Sequence, residues 1–369
     1  MDQHTVRKPM SFDTVVVIGG GPGGLRAAQG IAGVGNPVVL LEKENFLGGT
    51  PIRENYAGIT PHGEEAEPIM RRMAETVTGN ALVDVRLQTT ATALSGEPGA
   101  FSLEVSGPDG TSTIECGAIV VATGFQHFDP GRETQLYGYY EFDDVITLPD
   151  LESMLKDHNV VRPSNGEAPK SLCFVQCVGS RDRQIGNEYC SKVCCGVASK
   201  EAIEVKQLHP DCKVYIFYID MRMYGYWENE IYWVAQEKHH VQYVKGIITE
   251  VLPYNDPVHG KKLIVRGEDT TMGRPMELPM DMVVLSVGME PSSGTRDAAR
   301  ILGIRPNRFG FIEATGGAMD PVATSREGIY ACGAALGPAD LEDSVSSGAD
   351  AAMHAVAFVR GRAAAVAGS

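Results

Sequence analysis

The chain contains no apolar run approaching the ~18 uncharged residues of a membrane-spanning helix, and its first ten residues carry charge and a proline where a secretory leader is apolar. We therefore expect a cytoplasmic protein without a membrane span. Basic charge is also scarce: 32 Lys and Arg face 47 Asp and Glu, a net charge of −15 with no basic cluster, which argues against a nucleic-acid partner. No solenoid-type repeat is visible. No Cys-x-x-Cys pair occurs and no cysteine precedes Cys116, which excludes a redox dithiol early in the chain. Nor are the cysteines scattered as a disulfide framework would be. Cys173, Cys177, Cys190, Cys194 and Cys195, five of the eight, share one short segment, and in a reducing compartment such clustering points to a metal.

At 369 residues the chain exceeds the ~250 to 300 at which a single core stops growing, so at least two domains are expected. Its 42 glycines and 21 prolines are spread along it, as turns between strands and helices require. The first such turn is informative. Asp13-Thr-Val-Val-Val-Ile18 suits a buried parallel strand, and Gly19-Gly20-Gly21-Pro22-Gly23-Gly24 follows at once. Gly19 permits a tight turn, Gly21 lets the backbone approach a pyrophosphate, Pro22 suits the first helical turn, and Gly24 lets helix pack on strand. Leu25, Ala28 and Ile31 recur at helical spacing, Gly35-Asn36-Pro37 ends the unit, and a second strand, Val38 to Leu41, delivers Glu42 where a carboxylate accepts ribose hydroxyls.

This unit alone does not separate FAD from NAD. Ala118 to Phe125, ending in Ala122-Thr123-Gly124, resembles the exit from the FAD domain of the two-dinucleotide-binding-domain flavoproteins, the α/β class of glutathione and thioredoxin reductases. Met282 to Met289 resembles the re-entry, and Thr324 to Gly333 resembles the final strand beneath the flavin. The expected architecture is an FAD Rossmann domain (1–150 and 286–369) with an inserted Rossmann-like domain (151–285). The resemblance makes Gly19, Gly21, Pro22, Gly23, Gly24, Glu42, Lys43, Gly49, Thr50, Ala122, Thr123, Gly124, Gly333, Ala334, Asp340 and Leu341 the candidate FAD contacts. Two departures stand out. Where the dithiol branch has Gly-Gly-Thr-Cys, this chain has Gly48-Gly49-Thr50-Pro51, and where the class has Gly-Asp it has Gly333-Ala334. Asp340, backbone amides from Gly337 to Leu341, or the N-terminus of the last helix, capped by Asp343 or Ser344, are the available substitutes. Lys43 and Arg222 reach either phosphate or solvent.

Leu172 to Ser180 reads as an apolar strand, Arg181 to Glu188 as a polar loop, a helix follows through His209, and Lys213 to Asp220 forms the next strand. A nicotinamide domain belongs here, yet its glycine-rich loop is missing and Cys177, Cys190, Cys194 and Cys195 stand in its place. A helix beginning near Tyr189 would put Cys190 and Cys194 on one face, with Cys177 closing from the strand end. Neighbouring ligands such as Cys194 and Cys195 suit an iron-sulfur cubane, whereas structural zinc recruits pairs ~2 to 4 residues apart; merely buried cysteines are the third reading. Cys116, Cys173, Cys212 and Cys332 read as packing residues. Tyr224, Tyr226, Trp227, Tyr232 and Trp233 surround a predicted helix from Glu228 to His239 and read as core or dimer packing, a substrate surface being the alternative.

Phe174-Val-Gln-Cys-Val-Gly-Ser-Arg-Asp182, Tyr189-Cys-Ser-Lys-Val-Cys-Cys195, Tyr218-Ile-Asp-Met-Arg222 and Gly337-Pro-Ala-Asp340 resemble the A-type flavin subunits of heterodisulfide reductases. The resemblance covers roughly residues 12 to 358 and implies that Cys177, Cys190, Cys194 and Cys195 ligate a [4Fe-4S] cluster next to FAD. The methanogen members of that family are longer, with an extra N-terminal region and ferredoxin-like inserts that have no counterpart in this sequence, so flavin-based electron bifurcation is not the expectation. The chain is similar to the short form in sulfur-oxidising bacteria, which implies a homodimer working with B and C type subunits and, indirectly, a lipoate-carrying protein. The competing expectation is a self-sufficient NAD(P)H-dependent flavin oxidoreductase.

Overall fold

The computed structural model describes residues 12–59, 63–133, 137–258 and 260–367. The chain divides into two compact units, one built from Met1–Thr50, Met70–Gln126 and Pro291–Ser369, the other from Pro51–Ile69 and His127–Glu290.

The first unit is organised by a parallel sheet in the order Ile329–Ala331, Ala118–Val121, Val15–Ile18, Val38–Leu41, Val83–Arg86. These strands are apolar at nearly every position because both faces are covered. Side chains alternate across a strand, so Val15, Val17, Val38, Leu40, Ala118 and Val120 face one way, onto helix Pro22–Gly33 and the C-terminal helix Leu341–Ala367. Val16, Val39, Leu41, Ile119 and Val121 face the other way, onto an antiparallel three-strand meander (Thr90–Glu97, Ala100–Gly107, Gly110–Cys116) and helix Ser293–Leu302.

The second unit repeats the plan with a seven-stranded sheet: Val145–Thr147, Met282–Val287, Ser171–Val178, Lys213–Tyr218, Gln242–Asp256, Gly260–Asp269, Arg274–Met280. The first five strands run parallel and the last two continue as an antiparallel meander. Helices Leu148–Lys156 and Cys194–Leu208 cover one face through Leu151, Leu155, Ala198, Ala202 and Val205. The boundaries read from the sequence at 150 and 285 both fall inside this unit. Strand Val145–Thr147 pairs with Met282–Val287, so the segment before residue 150 already belongs to the second sheet, and the chain returns to the first unit only at Pro291.

Cys116, Cys173, Cys212 and Cys332 are all at most 2% exposed and lie within the apolar cores, as packing residues do. The segment expected as a helix from Glu228 to His239 is wound as two consecutive π-helical pieces, Glu228–Tyr232 and Val234–Lys238. Trp227 and Ile231 are buried there, while Tyr224, Tyr226 and Trp233 remain exposed.

Candidate flavin and metal sites

The fingerprint loop is glycine-rich for steric reasons that can be read atom by atom. Gly19 adopts φ +112°, and a Cβ on it would lie 2.3 Å from the Ala122 carbonyl oxygen. A Cβ on Gly24 would lie 1.8 Å from the Gly19 carbonyl oxygen, so helix Pro22–Gly33 approaches its strand as closely as backbone allows. No side chain caps this helix: its N-cap is Gly21 and Pro22 occupies the first turn, which leaves main-chain N–H groups and the positive end of the dipole to a ligand.

Glu42, 7% exposed at the end of strand Val38–Leu41, is locked against the loop: Oε2 accepts from the Gly20 amide at 2.7 Å and Oε1 from the Glu44 amide at 2.9 Å. A carboxylate has about four acceptor sites, so two remain for ribose hydroxyls. The Gly48 amide donates to the Gly20 carbonyl at 2.9 Å, and Gly49, at φ +66°, packs so that its Cβ would fall 2.7 Å from the Gly21 Cα. Across the helix start, a Cβ on Gly23 would meet the Ser344 carbonyl oxygen at 3.1 Å and the Gly333 Cα at 3.8 Å. Gly19, Gly21, Pro22, Gly23, Gly24, Glu42, Gly49, Ala122 and Gly333 are thus brought together in a cradle of bare backbone with one carboxylate, the shape and chemistry an ADP group requires.

The other candidates have different surroundings. Thr123 donates to Thr295 at 2.8 Å, and Thr295 to the Gly124 carbonyl at 2.9 Å, which pins the Ala-Thr-Gly turn to helix Ser293–Leu302. Ser292 and Thr295 were not singled out from the sequence, although Ser292, following a proline and opening a helix, carries an N-cap signature. Lys43 is half exposed and pairs with Glu44 at 3.8 Å. Thr50 opens the short helix Thr50–Arg53, and Ala334 is buried in a single 3-10 turn, Gly333–Ala335. Asp340 caps the last helix: its Oδ1 accepts from the Asp343 amide at 2.7 Å and Asp343 Oδ2 accepts from the Asp340 amide at 3.3 Å, just ahead of Leu341. The capping role expected of Asp343 or Ser344 therefore belongs to Asp340, with Asp343 as its reciprocal partner. Asp340→Ala is expected to cost about 1 kcal/mol, read as a fall in the denaturation midpoint at unchanged m-value.

The four clustered cysteines converge by a route the sequence did not suggest. The helix begins at Cys194, not near Tyr189, because Lys192 sits at φ +67° and cannot continue a helical path. Cys190 therefore lies in the loop before the helix and shares no helix face with Cys194. It is returned to Cys177 by a closed hairpin: the Arg181 amide donates to the Tyr189 carbonyl at 2.8 Å and Asp182 bridges Asn187. Tyr189 donates to the Met289 carbonyl at 2.8 Å and Asn187 to the Gly179 carbonyl at 3.0 Å, anchoring the hairpin to the sheet. Cys177 itself adopts φ +66°, at a register shift in the pairing of Ser171–Val178 with Met282–Val287, a bulge that re-aims a side chain. Three non-glycine residues of this segment, Cys177, Arg181 and Lys192, are in the left-handed region, a strained backbone that the surrounding structure must hold in place.

The thiols of Cys194 and Cys195 feel those of Cys177 and Cys190 electrostatically, and Cys177 feels Cys190, so the four sulfurs form one neighbourhood. Burial pushes the Cys194 thiol well up and that of Cys195 to about 11, with the neighbouring thiols adding to the effect. As thiolates without a positive partner they would be costly. Among the described residues no three His, Cys, Asp or Glu side chains are placed to hold one metal ion. A four-iron cubane asks something different of its ligands, one thiolate per corner, and four cysteines with two adjacent in sequence fit that donor set. The same unit holds a cavity of about 380 Å³ lined by Tyr218, Asp220, Met221, Tyr232, Trp233 and Lys245 among others, so part of the aromatic stretch forms a cavity wall.

Paired Rossmann-type sheets, a glycine cradle and a buried terminal carboxylate define the class: an oxidoreductase built on two dinucleotide-binding folds. The chain belongs to the pyridine nucleotide-disulphide oxidoreductase family, whose model matches residues 13–357, and flavin binding accords with that membership. Among its curated relatives are A subunits of heterodisulfide reductases. It is 39% identical over 254 residues to the A subunit of the H(2):CoB-CoM heterodisulfide,ferredoxin reductase of Methanothermobacter thermautotrophicus, covering 67% of this chain and 38% of that protein. It is 31% identical over 418 residues to the A subunit of the ferredoxin/F(420)H(2)-dependent CoB-CoM heterodisulfide reductase of Methanosarcina acetivorans, covering 90% and 52%. The chain thus spans about half the length of these relatives or less. Among solved structures it is similar to thioredoxin reductases of T. acidophilum (TM-score 0.62, 17% identity, covering 93% of this chain and 97% of that one) and Lactococcus lactis (TM-score 0.63, 20%, 94% and 99%), a likeness of fold. No helix among the described residues is long and apolar enough to cross a membrane.

Proposed function

We propose that this chain is the flavin-carrying electron-transfer component of a heterodisulfide-reductase-like assembly, in which FAD exchanges electrons with a [4Fe-4S] cluster held by Cys177, Cys190, Cys194 and Cys195. The observation that carries the reading is the gathering of these four cysteines at the strand end where a nicotinamide domain keeps its phosphate loop. FAD, when bound, takes electrons in pairs and releases them singly, which matches a one-electron carrier. The chain's own residues bind and shape: the Gly19–Gly24 loop and Glu42 hold the ADP half, Thr295 fixes the Ala122–Gly124 turn, and the Arg181–Tyr189 hairpin presents Cys190 to Cys177. Pro51, in place of the dithiol cysteine, supports an exit for electrons other than a disulfide. The reading extends to a cytoplasmic homodimer that works with B and C type subunits and, through them, a lipoate-carrying protein in sulfur oxidation.

Anaerobically purified protein is expected to hold about four irons and four sulfides per chain. Cys194→Ser and Cys195→Ser are expected to lower the iron to background, while Cys173→Ala leaves it in place. Iron-free wild-type protein with bound FAD would overturn the reading. Family membership keeps a second reading open, an NAD(P)H-dependent flavin oxidoreductase. Rapid bleaching of the flavin by NADH alone, with turnover of an acceptor, would put it first.

A further inference from the structure

Each of the four cysteine sulfurs has an N–H donor of its own. The Lys192 amide donates to Cys190 Sγ at 3.3 Å, the Arg222 amide donates to Cys195, and Cys194 is served by its own amide at the helix start. Cys177 alone is served by a side chain, the Arg181 guanidinium. Three donors are therefore main chain and neutral, and the fourth is charged. Arg181 is not placed there by chance of rotamer: its amide closes the hairpin on Tyr189, its backbone is in the left-handed region at φ +59°, and Asp220 grips the guanidinium from the end of the neighbouring strand. Asp220 is itself paired with Arg222 at 3.5 Å, the residue whose amide serves Cys195. The Arg181 side chain is 21% exposed, so solvent screens its charge only in part where it meets Cys177.

We propose that Arg181, tethered by Asp220, sets the reduction potential of the cluster by donating a charged hydrogen bond to the Cys177 sulfur. The inference rests on the cluster reading above. Reduction adds one electron and no proton at this site, and dithionite supplies the electron in a titration. Hydrogen bonds to cysteine sulfur and net local charge are the protein's means of tuning such a centre, and a cation favours the state with the extra electron. Charge-assisted bonds are roughly twice as strong as neutral ones, so this donor outweighs each of the three amides.

The test is a dithionite titration of the full chain followed by electron paramagnetic resonance, with iron and sulfide measured on the same samples. Arg181→Gln is expected to shift the reduction equilibrium about tenfold toward the oxidised form, ~59 mV lower for one electron. Arg181→Lys, which keeps the charge and loses the fork that reaches Cys177 and Asp220 together, is expected to recover part of the loss. Asp220→Asn removes the counter-charge and is expected to move the potential the opposite way, upward. A fully loaded Arg181→Gln protein with the wild-type midpoint overturns the proposal. If Arg181→Gln loses its iron, Asp220→Asn decides: a loaded variant whose midpoint fails to rise overturns it as well. Wild-type protein without iron and sulfide is a different failure, that of the cluster reading itself.

Discussion

Gly24→Ala is expected to yield protein that is either flavin-free or unfolded, whereas Gly33→Ala, nine residues further along the same helix, is expected to bind flavin normally and gain a little stability. The added methyl group is the same and its surroundings are not. At Gly24 it would lie 1.8 Å from the Gly19 carbonyl oxygen and 3.2 Å from the Ala122 Cβ, so the helix must retreat from the strand and carry the fingerprint loop with it. At Gly33 nothing lies within 4 Å. Overpacking a core typically costs about 1 to 3 kcal/mol, and this contact is with backbone, which has no rotamer to change, so the upper end or beyond is expected. Alanine in an open helical position instead recovers up to about 1 kcal/mol of propensity. The flavin-to-protein absorbance ratio after gel filtration, with urea denaturation alongside, reads both effects. A Gly24→Ala protein with full flavin would mean that the helix can shift without disturbing the cradle.

These steric demands explain why the flavin half was legible from sequence alone. A close backbone approach admits only glycine, so Gly19, Gly21 and Gly24 announce their geometry, and Glu42 follows at the distance one strand and one helix impose. The cysteine half was legible in composition and not in path. Lys192 and Cys177 take left-handed backbone conformations as non-glycine residues, which no local pattern signals, and the helix consequently starts at Cys194, later than the start near Tyr189 that would have put Cys190 and Cys194 on one face. Asp340 shows the same limit on a smaller scale: a carboxylate ahead of a helix fits both a cap and a ligand contact, and the reciprocal bonds with Asp343 show the first. The least legible feature is a charged one. Lys and Glu are residue types almost never fully buried unless paired, yet Lys200 is 5% exposed and Glu201 is fully buried, because helix Leu148–Lys156 packs against helix Cys194–Leu208 and brings Glu152 with it.

Lys200→Met is accordingly expected to destabilise the protein by about 3 to 5 kcal/mol, the range for breaking a buried ion pair from one side. Lys200 pairs with Glu152 and with Glu204 at 3.4 Å, and donates to the Gly58 carbonyl at 3.4 Å; Glu152 also accepts the Ala57 amide at 2.9 Å. Burial alone would lower the lysine's pKa, but Glu152, Glu204 and Glu201 raise it, so it stays charged. One cation facing three carboxyls cannot balance them all. Glu201, pushed well above its ordinary value of 4.5 first by burial and then by Glu152, is the group that keeps its proton. An acid whose folded pKa is raised binds more protons folded than unfolded, so its contribution to stability falls as pH rises from 4.5 toward the folded value, by about 1.4 kcal/mol per pH unit. Glu201→Gln, a neutral isostere, removes that dependence and is expected to stabilise the protein increasingly with pH. Denaturation midpoints at about pH 6 and about pH 8 separate the two charges: the advantage of Glu201→Gln over wild type grows at the higher pH, and the deficit of Lys200→Met shrinks at the lower one, where Glu204, its pKa raised by burial, takes up a proton more readily. Equal midpoint differences at both pH values would show that Glu201 is ionised in the folded protein and that the helix Cys194–Leu208 tolerates an unbalanced buried charge.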